Sequence, residues 1–316
     1  MKNHLKTVTI ALTTIFLMTS CSKDDNGGSE MGAESYETTF MITDAPIDNA
    51  NVEAVFVTVS DIKVDGTSLE GFNKTTFDLA ALVNGQTKTL GNLQLEAGSY
   101  SNIELELDYD MDASGNAPGC YVEMVNGEKD KLEAASNKIS ITDSYEIFAS
   151  NTNEIIIDFD LRKTIKEEQG TVSNNFEFVT MAELSAGIRT LNKETTGMIS
   201  GIANDVQNTS DKIIVYAYEK GAFNAEVETN GKGDSNVTFA NAVTSSEVSG
   251  LNNEYSLNFL AEGEYELVFA SYKEEGDVVS FNSLLQVEST TGLNLGALSV
   301  TSAIQLSANV TITGTK

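Results

Sequence analysis

The strict alternation of apolar and polar residues in segment 100–110 is the feature that most constrains the fold of this chain. Ile103, Leu105, Leu107 and Tyr109 fall at every second position, and acidic residues stand between them. Successive side chains of a β-strand point to opposite faces of its sheet. The spacing therefore predicts a strand with one face in a core and the other face in water.

Short segments of the same character recur along the chain, separated by turns rich in Gly, Asn and Asp. Segment 52–64 also alternates, but its apolar face changes between Val59 and Ile62, which predicts a strand with a β-bulge. The best helix candidate is segment 161–168, with Asp160 as its N-cap. Regular short strands with such turns indicate an all-β fold made of two antiparallel, Greek-key-like β-sandwich domains.

A six-residue pattern, Leu-x-x-Gly-x-Tyr, occurs twice, ending at Tyr100 and at Tyr265. Each copy precedes an alternating segment, although a pattern with three fixed positions also arises by chance. We interpret each tyrosine as a tyrosine corner, in which the phenol bonds to the backbone. The interpretation predicts that Tyr100→Phe and Tyr265→Phe each destabilise the fold by about 1 kcal/mol or more.

Residues 1–20 have the architecture of a secretory signal peptide, with an early basic region, an apolar run and small residues before Cys21. The apolar run is about half as long as a membrane-spanning helix requires. The end of this segment resembles the lipobox of bacterial lipoproteins, in which the cysteine is acylated and becomes the new N-terminus. Met18 departs from that pattern, which usually has Leu there. The resemblance implies a lipid anchor at Cys21, which would hold the chain on a membrane.

Residues 21–35 have the composition of a flexible tether. Its start, Ser22, Lys23, Asp24 and Asp25, resembles the surface export signal of Bacteroidota lipoproteins, a Lys followed by two acids. An ordinary polar tether is the alternative. The resemblance implies a lipid-anchored protein of the outer membrane that faces the cell exterior.

Composition excludes several kinds of chemistry in the mature chain. Loss of residues 1–20 removes two lysines and the only histidine, so the formal charge changes from −28 to −30. Without histidine there is no Ser-His-Asp system and no imidazole metal site. After acylation of Cys21, Cys120 is the only remaining thiol, so no intramolecular disulfide is expected. The negative charge argues against nucleic acid as a partner.

An acidic segment is the one candidate metal site in the sequence. Asp108, Asp110, Asp112 and Ser114 alternate like the first ligands of a calcium loop. The pattern is incomplete, because Ala113 and Gly119 stand where an EF-hand needs Gly and Glu. The alternative is a solvated strand face that runs into a loop. No other cofactor is expected.

Two further groups of residues are candidates for function. Asp44, Asp48, Asp158 and Asp160 include carboxylates at a spacing that permits glycoside hydrolysis, although acids more often cap turns and helices. The chain has no Trp to line sugar subsites, and enzymatic activity is not expected. Aromatic residues of the C-terminal part, Tyr216, Tyr218 and Tyr272, either form a binding surface or pack in a core.

Four segments carry a resemblance to a known family: 40–46 (Phe-Met-Ile-Thr-Asp-Ala-Pro), 93–107, 155–160 (Ile-Ile-Ile-Asp-Phe-Asp) and 194–201. Together they resemble the lipoprotein family named domain of unknown function 4382, over about residues 36–202. The resemblance implies an all-β envelope domain without an established activity. The remaining part resembles transthyretin-like or carboxypeptidase-regulatory-like modules.

The expected organisation is therefore a signal peptide (1–20), a lipidated tether (21–35), an N-terminal β-sandwich domain (36–192) and a C-terminal one (193–316). We expect a surface-anchored, non-catalytic lipoprotein that binds an extracellular glycan, envelope component or matrix protein. The alternative is an assembly subunit that resembles two-domain fimbrial lipoproteins and joins by strand addition. Such subunits are usually cleaved after an Arg of the N-terminal domain, whereas the first Arg here is Arg162. A carboxylate-based glycoside hydrolase is the third hypothesis.

Overall fold

The computed structural model describes residues 34–45, 52–150, 152–168, 175–206, 208, 210–275 and 278–316. Strands dominate these residues and the helices among them are short, which confirms the all-β class. The predicted signal peptide, the lipidation site Cys21 and nearly all of the tether lie outside the described residues. None of the helices in the described part of the chain is long and apolar enough to span a membrane.

In the N-terminal half, here residues 34–192, the described residues form fifteen strands and two short α-helices. They are β1 (Ser35–Thr43), β2 (Val52–Val64), β3 (Thr67–Ser68), β4 (Thr75–Asp78), β5 (Lys88–Glu96), β6 (Gly98–Tyr100), β7 (Ile103–Leu107), β8 (Tyr121–Met124), β9 (Lys129–Lys131), β10 (Lys138–Ile141), β11 (Tyr145–Ile147), β12 (Asn153–Phe159), α1 (Leu161–Thr164), β13 (Ile165–Glu168), β14 (Asn175–Phe178), α2 (Met181–Ala186) and β15 (Ile188–Asn192).

In the C-terminal half, here residues 193–316, the part that the structure describes has nine strands, one α-helix and a short 3-10 turn at its start. They are the 3-10 turn (Lys193–Thr195), β16 (Thr196–Asp205), β17 (Lys212–Glu219), α3 (Ala225–Thr229), β18 (Thr244–Glu247), β19 (Glu254–Ala261), β20 (Gly263–Glu275), β21 (Val278–Ser289), β22 (Leu298–Val300), β23 (Gln305–Ser307) and β24 (Val310–Thr315).

Two sheets of the N-terminal half enclose one core. One has the order β15-β12-β1-β5, and the other has β10-β7-β2-β8-β9 with β3 and β4 also paired to β2. Phe40 and Ile157 of the first sheet share a buried cluster with Val57 and Leu105 of the second. Burying such side chains stabilises the fold by roughly 25 cal/mol per Å² of apolar surface.

The first sheet is mixed, where the sequence predicted only antiparallel pairing. β1 runs parallel to β12, from Thr38 opposite Asn153 to Thr43 opposite Asp158. Between β1 and β12 the chain forms all strands of the second sheet. It then comes back to the first sheet, where β12 runs in the same direction as β1. A long connection of this kind allows two strands to pair in parallel, whereas a tight hairpin joins only antiparallel strands.

The pattern of buried residues confirms the two-sided strand and the bulge. Along β7, Ile103, Leu105 and Leu107 are buried and the two glutamates between them are partly exposed. The register of β2 against β7 shifts between Val59 and Asp61, where the apolar face changes. An extra residue in one strand moves the side chains that follow to the other face.

The C-terminal half is built on one long sheet with the order β18-β17-β20-β21-β24-β16-β19, to which β22 and β23 add at β20 and β16. β16 is parallel to β23 and β24, and the other pairs are antiparallel. One core contains Ile199, Leu257 and Phe269. A second cluster forms around Tyr216 and Phe239. Both halves belong to one compact unit, residues 34–316, and the domain boundary at 192/193 stays a prediction.

The helix predicted over 161–168 is wrong beyond its first turn. Helix α1 ends at Thr164, and β13 follows at once and pairs with β14. Ile165 and Phe178 are buried opposite each other in this hairpin, and β-branched side chains such as Ile favour strands. Asp160 makes no side-chain capping bond, and its Oδ2 instead accepts a hydrogen bond from Arg162.

Both tyrosines of the repeated pattern bond to the backbone four residues upstream. The Tyr265 hydroxyl donates to the Ala261 carbonyl at 2.9 Å, and the Tyr100 hydroxyl donates to the Glu96 carbonyl at 3.0 Å. Tyr265 is buried and Tyr100 is half-buried.

We expect Tyr265→Phe to lower the free energy of unfolding by about 1 kcal/mol, and Tyr100→Phe by less because water can replace its bond. Urea unfolding measures both, and equal stability of the Tyr265→Phe and unaltered chains would contradict the first expectation.

Candidate functional site

Six charged side chains meet where the two halves of the chain touch, and they form what we call the junction cluster. Three are carboxylates that follow or end the parallel strands β1 and β12, and three are cations of α1 and β15. They are Asp44, Asp158, Asp160, Arg162, Lys163 and Arg189. All are buried or nearly so, and Arg162 and Arg189 are the only arginines of the sequence.

Direct ion pairs hold two of the carboxylates. The Arg162 guanidinium contacts the Asp160 carboxylate at 2.7 Å, with 3% and 6% of these side chains exposed. The Arg189 guanidinium contacts Asp158 at 2.6 and 2.8 Å. Lys163 lies 3.4 Å from Asp160, and burial lowers the pKa of this lysine. Buried charges cost several kcal/mol each to desolvate, so the pairing is what allows them to stay.

The same two arginines connect the halves of the chain. Arg162 donates from Nη1 to the Phe239 carbonyl at 2.7 Å, and Arg189 donates from Nη1 to the Phe259 carbonyl at 3.0 Å. The Arg162 guanidinium also lies 5.2 Å from the centre of the Tyr216 ring, a cation–π contact. Each guanidinium therefore binds a carboxylate of one half and a backbone carbonyl of the other.

Asp44 is the carboxylate of the cluster that makes no ion pair within the described residues. Its Oδ1 accepts the Leu161 backbone N–H at 2.9 Å, and its Oδ2 has no hydrogen-bond partner there. Burial raises the pKa of Asp44 well above its usual value, and the nearby carboxylates of Asp160 and Asp158 raise it further. Leu161 donates from the start of α1, which opposes this shift in part.

A small polar cavity, here the inner cavity, lies beside Asp44 between β18, β19 and the N-terminal half. Its volume is about 10 Å³. Hydroxyl, amide and carboxylate side chains supply most of its lining, which consists of Thr43, Asp44, Asn84, Gly85, Asp158, Thr244, Ser245, Ser256, Asn258 and Phe259. Ser245 is 4% exposed, and its Oγ also has no partner in the described part of the chain.

A bulge in β19 shapes one wall of the inner cavity. The register against β16 shifts between Gly197 and Ile199, opposite Asn258 and Phe259. Phe259 has a φ of 52°, which is unusual for a bulky residue, and Asn84 across the cavity has a φ of 57°. Strained backbone of this kind concentrates at functional sites. The bulge also directs the Phe259 carbonyl to the Arg189 side chain.

A larger cleft, here the seam cleft, lies where the two end strands of the sheet, β18 and β19, approach each other. Its volume is about 740 Å³. Most of its lining is polar and uncharged, with two glutamates and a few apolar side chains: Val83, Asn84, Met198, Ser200, Gly201, Ile202, Glu247, Ser249, Asn252, Glu254, Tyr255, Ser256, Gln305, Ser307 and Asn309. No Lys or Arg is among these lining residues. Asn84 and Ser256 line both spaces, so the inner cavity adjoins the seam cleft.

The acidic segment predicted to bind calcium engages other partners. Asp108 contacts Lys74 at 2.7 Å and Asp110 contacts Lys131 at 3.1 Å. Asp112 accepts the backbone N–H groups of Ser114 and Asn116, each at 2.8 Å. In the described ranges, no three His, Cys, Asp or Glu side chains form a group able to hold a metal ion. The calcium site therefore stays a prediction.

The other sequence candidates have clear positions. Asp158 and Asp160 belong to the junction cluster with Asp44, whereas Asp48 lies outside the described residues. Their role in hydrolysis stays a prediction. Tyr216, Tyr218 and Tyr272 are buried, and the hydroxyls of Tyr216 and Tyr272 lie 2.5 Å apart, which confirms the packing interpretation.

The seam cleft and the inner cavity were not predicted. Their side chains come from strands and loops of both halves, and no local pattern marks Asn84 or Ser256. One signal for the junction cluster was present in the sequence: an acidic chain with 47 acidic residues has only two arginines. Arg is preferred over Lys in buried ion pairs because its planar guanidinium binds carboxylates with a fixed geometry.

Comparison with known proteins gave one family and several distant structures. No match was found among the curated proteins. The TIE protein of Bacillus anthracis is 11% identical over 88% of this chain with a TM-score of 0.19, and the chain spans 34% of its length. The major pilin subunit BcpA of Bacillus cereus is 11% identical over 89% of this chain and 71% of its own, with a TM-score of 0.20. The minor pilin of Streptococcus agalactiae is 12% identical over 89% and 98%, with a TM-score of 0.19.

The family match covers nearly all of β1 together with β12 and α1, and hence five of the six residues of the junction cluster. It agrees with the resemblance carried by segments 40–46 and 155–160. Residues 37–178 of this chain match the model of the family described as Domain of unknown function (DUF4382).

Proposed function

We propose that this protein is a surface-anchored, non-catalytic lipoprotein whose seam cleft binds a neutral glycan. The lining of the cleft carries the proposal. The lining combines amide groups, such as those of Asn84, Asn252 and Gln305, with the hydroxyl groups of serines. Sugar hydroxyl groups both donate and accept hydrogen bonds, and amide and hydroxyl side chains offer both functions.

The charge of the protein supports a neutral ligand over an anionic one. The chain has a formal charge of −28, and the two charged residues of the cleft lining are Glu247 and Glu254. Lys212 pairs with Glu247 at 2.9 Å, and Asn252 donates to Glu254 at 2.6 Å. An anionic polymer would approach against this potential.

The volume of the seam cleft also suits a glycan ligand. Met198, Ser200 and Ile202 of β16 line the cleft, whereas Ile199 between them is buried in the core. These three side chains of β16 therefore lie on the face of the strand that points away from that core. The volume of the cleft lies within the range of about 300–1,000 Å³ that is usual for ligand sites.

The proposal is tested by binding of the purified protein to an array of neutral and acidic glycans, with turnover recorded for every hit. We expect binding to neutral glycans without turnover. Gln305→Ala, which removes an amide held against Ser200 at 2.8 Å, is expected to weaken binding about tenfold. The matched control is Gln286→Ala on β21, which is exposed and away from the cleft lining.

Other outcomes would favour the other hypotheses. Turnover of a bound glycan would favour a hydrolase. Absence of binding, together with concentration-dependent assembly, would favour the subunit hypothesis. That alternative is supported by β21, whose residues 279–283 pair on one side with β20 and have no strand on the other side in the described structure. Unpaired strand edges are where strand addition occurs.

A further inference from the structure

Two buried oxygen atoms at the inner cavity lack hydrogen-bond partners among the residues that the structure describes. They are Oδ2 of Asp44 and Oγ of Ser245, in residues that are 6% and 4% exposed. Both residues line the cavity, yet these two atoms do not bond to each other. Buried polar groups in folded proteins almost always have a partner. We therefore expect the cavity to hold an occupant that contacts both oxygen atoms.

The size of the inner cavity restricts that occupant to a single small particle. About 10 Å³ is close to the space of one water-sized sphere. A molecule with several heavy atoms does not fit. A water molecule and a small ion are the two occupants to consider.

The chemistry of the lining selects a hard cation among ions. Four hydroxyls, two amides and two carboxylates surround the cavity, together with a glycine and a phenylalanine. The described lining contains no Lys, Arg, His or Cys. Hard oxygen ligands of this kind suit alkali and alkaline-earth ions, whereas zinc and copper prefer nitrogen and sulfur.

The charges around the cavity favour one positive charge. Arg189 already neutralises Asp158, which leaves Asp44 as the lining carboxylate without an ion pair in the described residues. Asp158 and Asp160 repel a negative charge on Asp44. A cation beside Asp44 relieves that repulsion, as does a proton on the buried carboxyl group, whereas a water molecule brings no charge. Calcium sites usually collect several carboxylates, which this cavity does not offer.

We propose that the inner cavity binds one sodium ion, with Asp44 Oδ2 and Ser245 Oγ among its ligands. The ion lies between Asp44 of the N-terminal half and β18 of the C-terminal half. It therefore adds a contact between the two halves. This proposal does not depend on what the seam cleft binds.

The test compares the melting temperature of the purified protein in sodium, potassium and choline chloride at equal ionic strength. We expect a higher melting temperature in sodium than in choline chloride, by about 3 °C, and an intermediate value in potassium chloride. Asp44→Asn is expected to abolish the difference, because it keeps the bond to Leu161 but removes the charge. The control is Asp78→Asn, a carboxylate that binds the Val55 N–H away from the cavity and should keep the sodium effect.

Ser245→Ala serves as a second variant in case Asp44→Asn does not fold, and it should also reduce the sodium effect. Equal melting temperatures of the unaltered protein in the three salts would overturn the proposal. So would a stabilisation by micromolar calcium that removes the dependence on sodium. Crystals soaked in a thallium(I) salt give a direct answer, since an anomalous peak in the cavity supports a monovalent cation site and an ordinary water peak rejects it.

Discussion

Replacing Arg162 by Met is expected to lower the free energy of unfolding by about 3–5 kcal/mol. The change leaves the Asp160 carboxylate buried without the guanidinium that contacts it at 2.7 Å. It also removes the hydrogen bond to the Phe239 carbonyl and the contact with the Tyr216 ring. Lys163 stays 3.4 Å from Asp160, but burial makes its charged form less favourable. Urea unfolding followed by circular dichroism measures the loss.

A matched control for this prediction is Lys193→Met. Lys193 contacts Glu154 at 2.7 Å, as short as the Arg162 pair, but 44% and 38% of these two side chains are exposed. Exposed ion pairs contribute about 0–1 kcal/mol, so little change is expected. If both variants lose the same small amount of stability, the junction cluster does not hold the fold together as we infer.

Replacing Phe239 by Ala is expected to cost about 3–5 kcal/mol, the usual range for removal of a buried aromatic ring. Phe239 is fully buried and stacks on Tyr216, with ring centres 4.2 Å apart. It also contacts Phe281, with ring centres 5.5 Å apart. The Phe239 ring packs the segment that follows α3 against the aromatic cluster. Its removal therefore leaves a cavity beside the Arg162 side chain. Thermal and urea unfolding measure the effect.

The control for the ring deletion is Phe223→Ala in the same aromatic cluster. Phe223 is half-buried and contacts Tyr218, with ring centres 5.0 Å apart. Because solvent already reaches this ring, its removal leaves less of a cavity, and a clearly smaller loss is expected. Equal losses for the two variants would mean that stacking on Tyr216 contributes nothing beyond ordinary contact.

The sequence predicted those features that depend on neighbouring residues. The alternation in 100–110 predicted the buried face of β7, and the change of face after Val59 predicted the bulge in β2. The repeated tyrosine pattern predicted two hydrogen bonds to the backbone that the structure contains. The helix predicted over 161–168 was too long. Residues from Ile165 onward pair with β14, and the helix signals at the start of the segment carry no information about that distant partner.

The candidate sites depended on residues far apart in the chain, and the sequence did not predict them. Asp44 accepts a hydrogen bond from a residue 117 positions away, and Arg189 donates to a carbonyl 70 positions away. The carboxylates were singled out for hydrolysis from their spacing alone. Spacing does not reveal whether a partner such as Arg162 will neutralise them.

The sequence by itself determined the all-β class and the faces of several strands, because a period of two is a local property of an extended chain. Only the tertiary structure decided that β1 pairs in parallel with β12, and that β18 and β19 approach each other to form the seam cleft. Many strands of this chain have similar apolar patterns, so the pattern alone does not select their partners. The partners of each strand depend on which arrangement satisfies three conditions at once. The connecting segments must span the gaps between strands, the apolar faces of the sheets must be buried, and the buried charges must be paired.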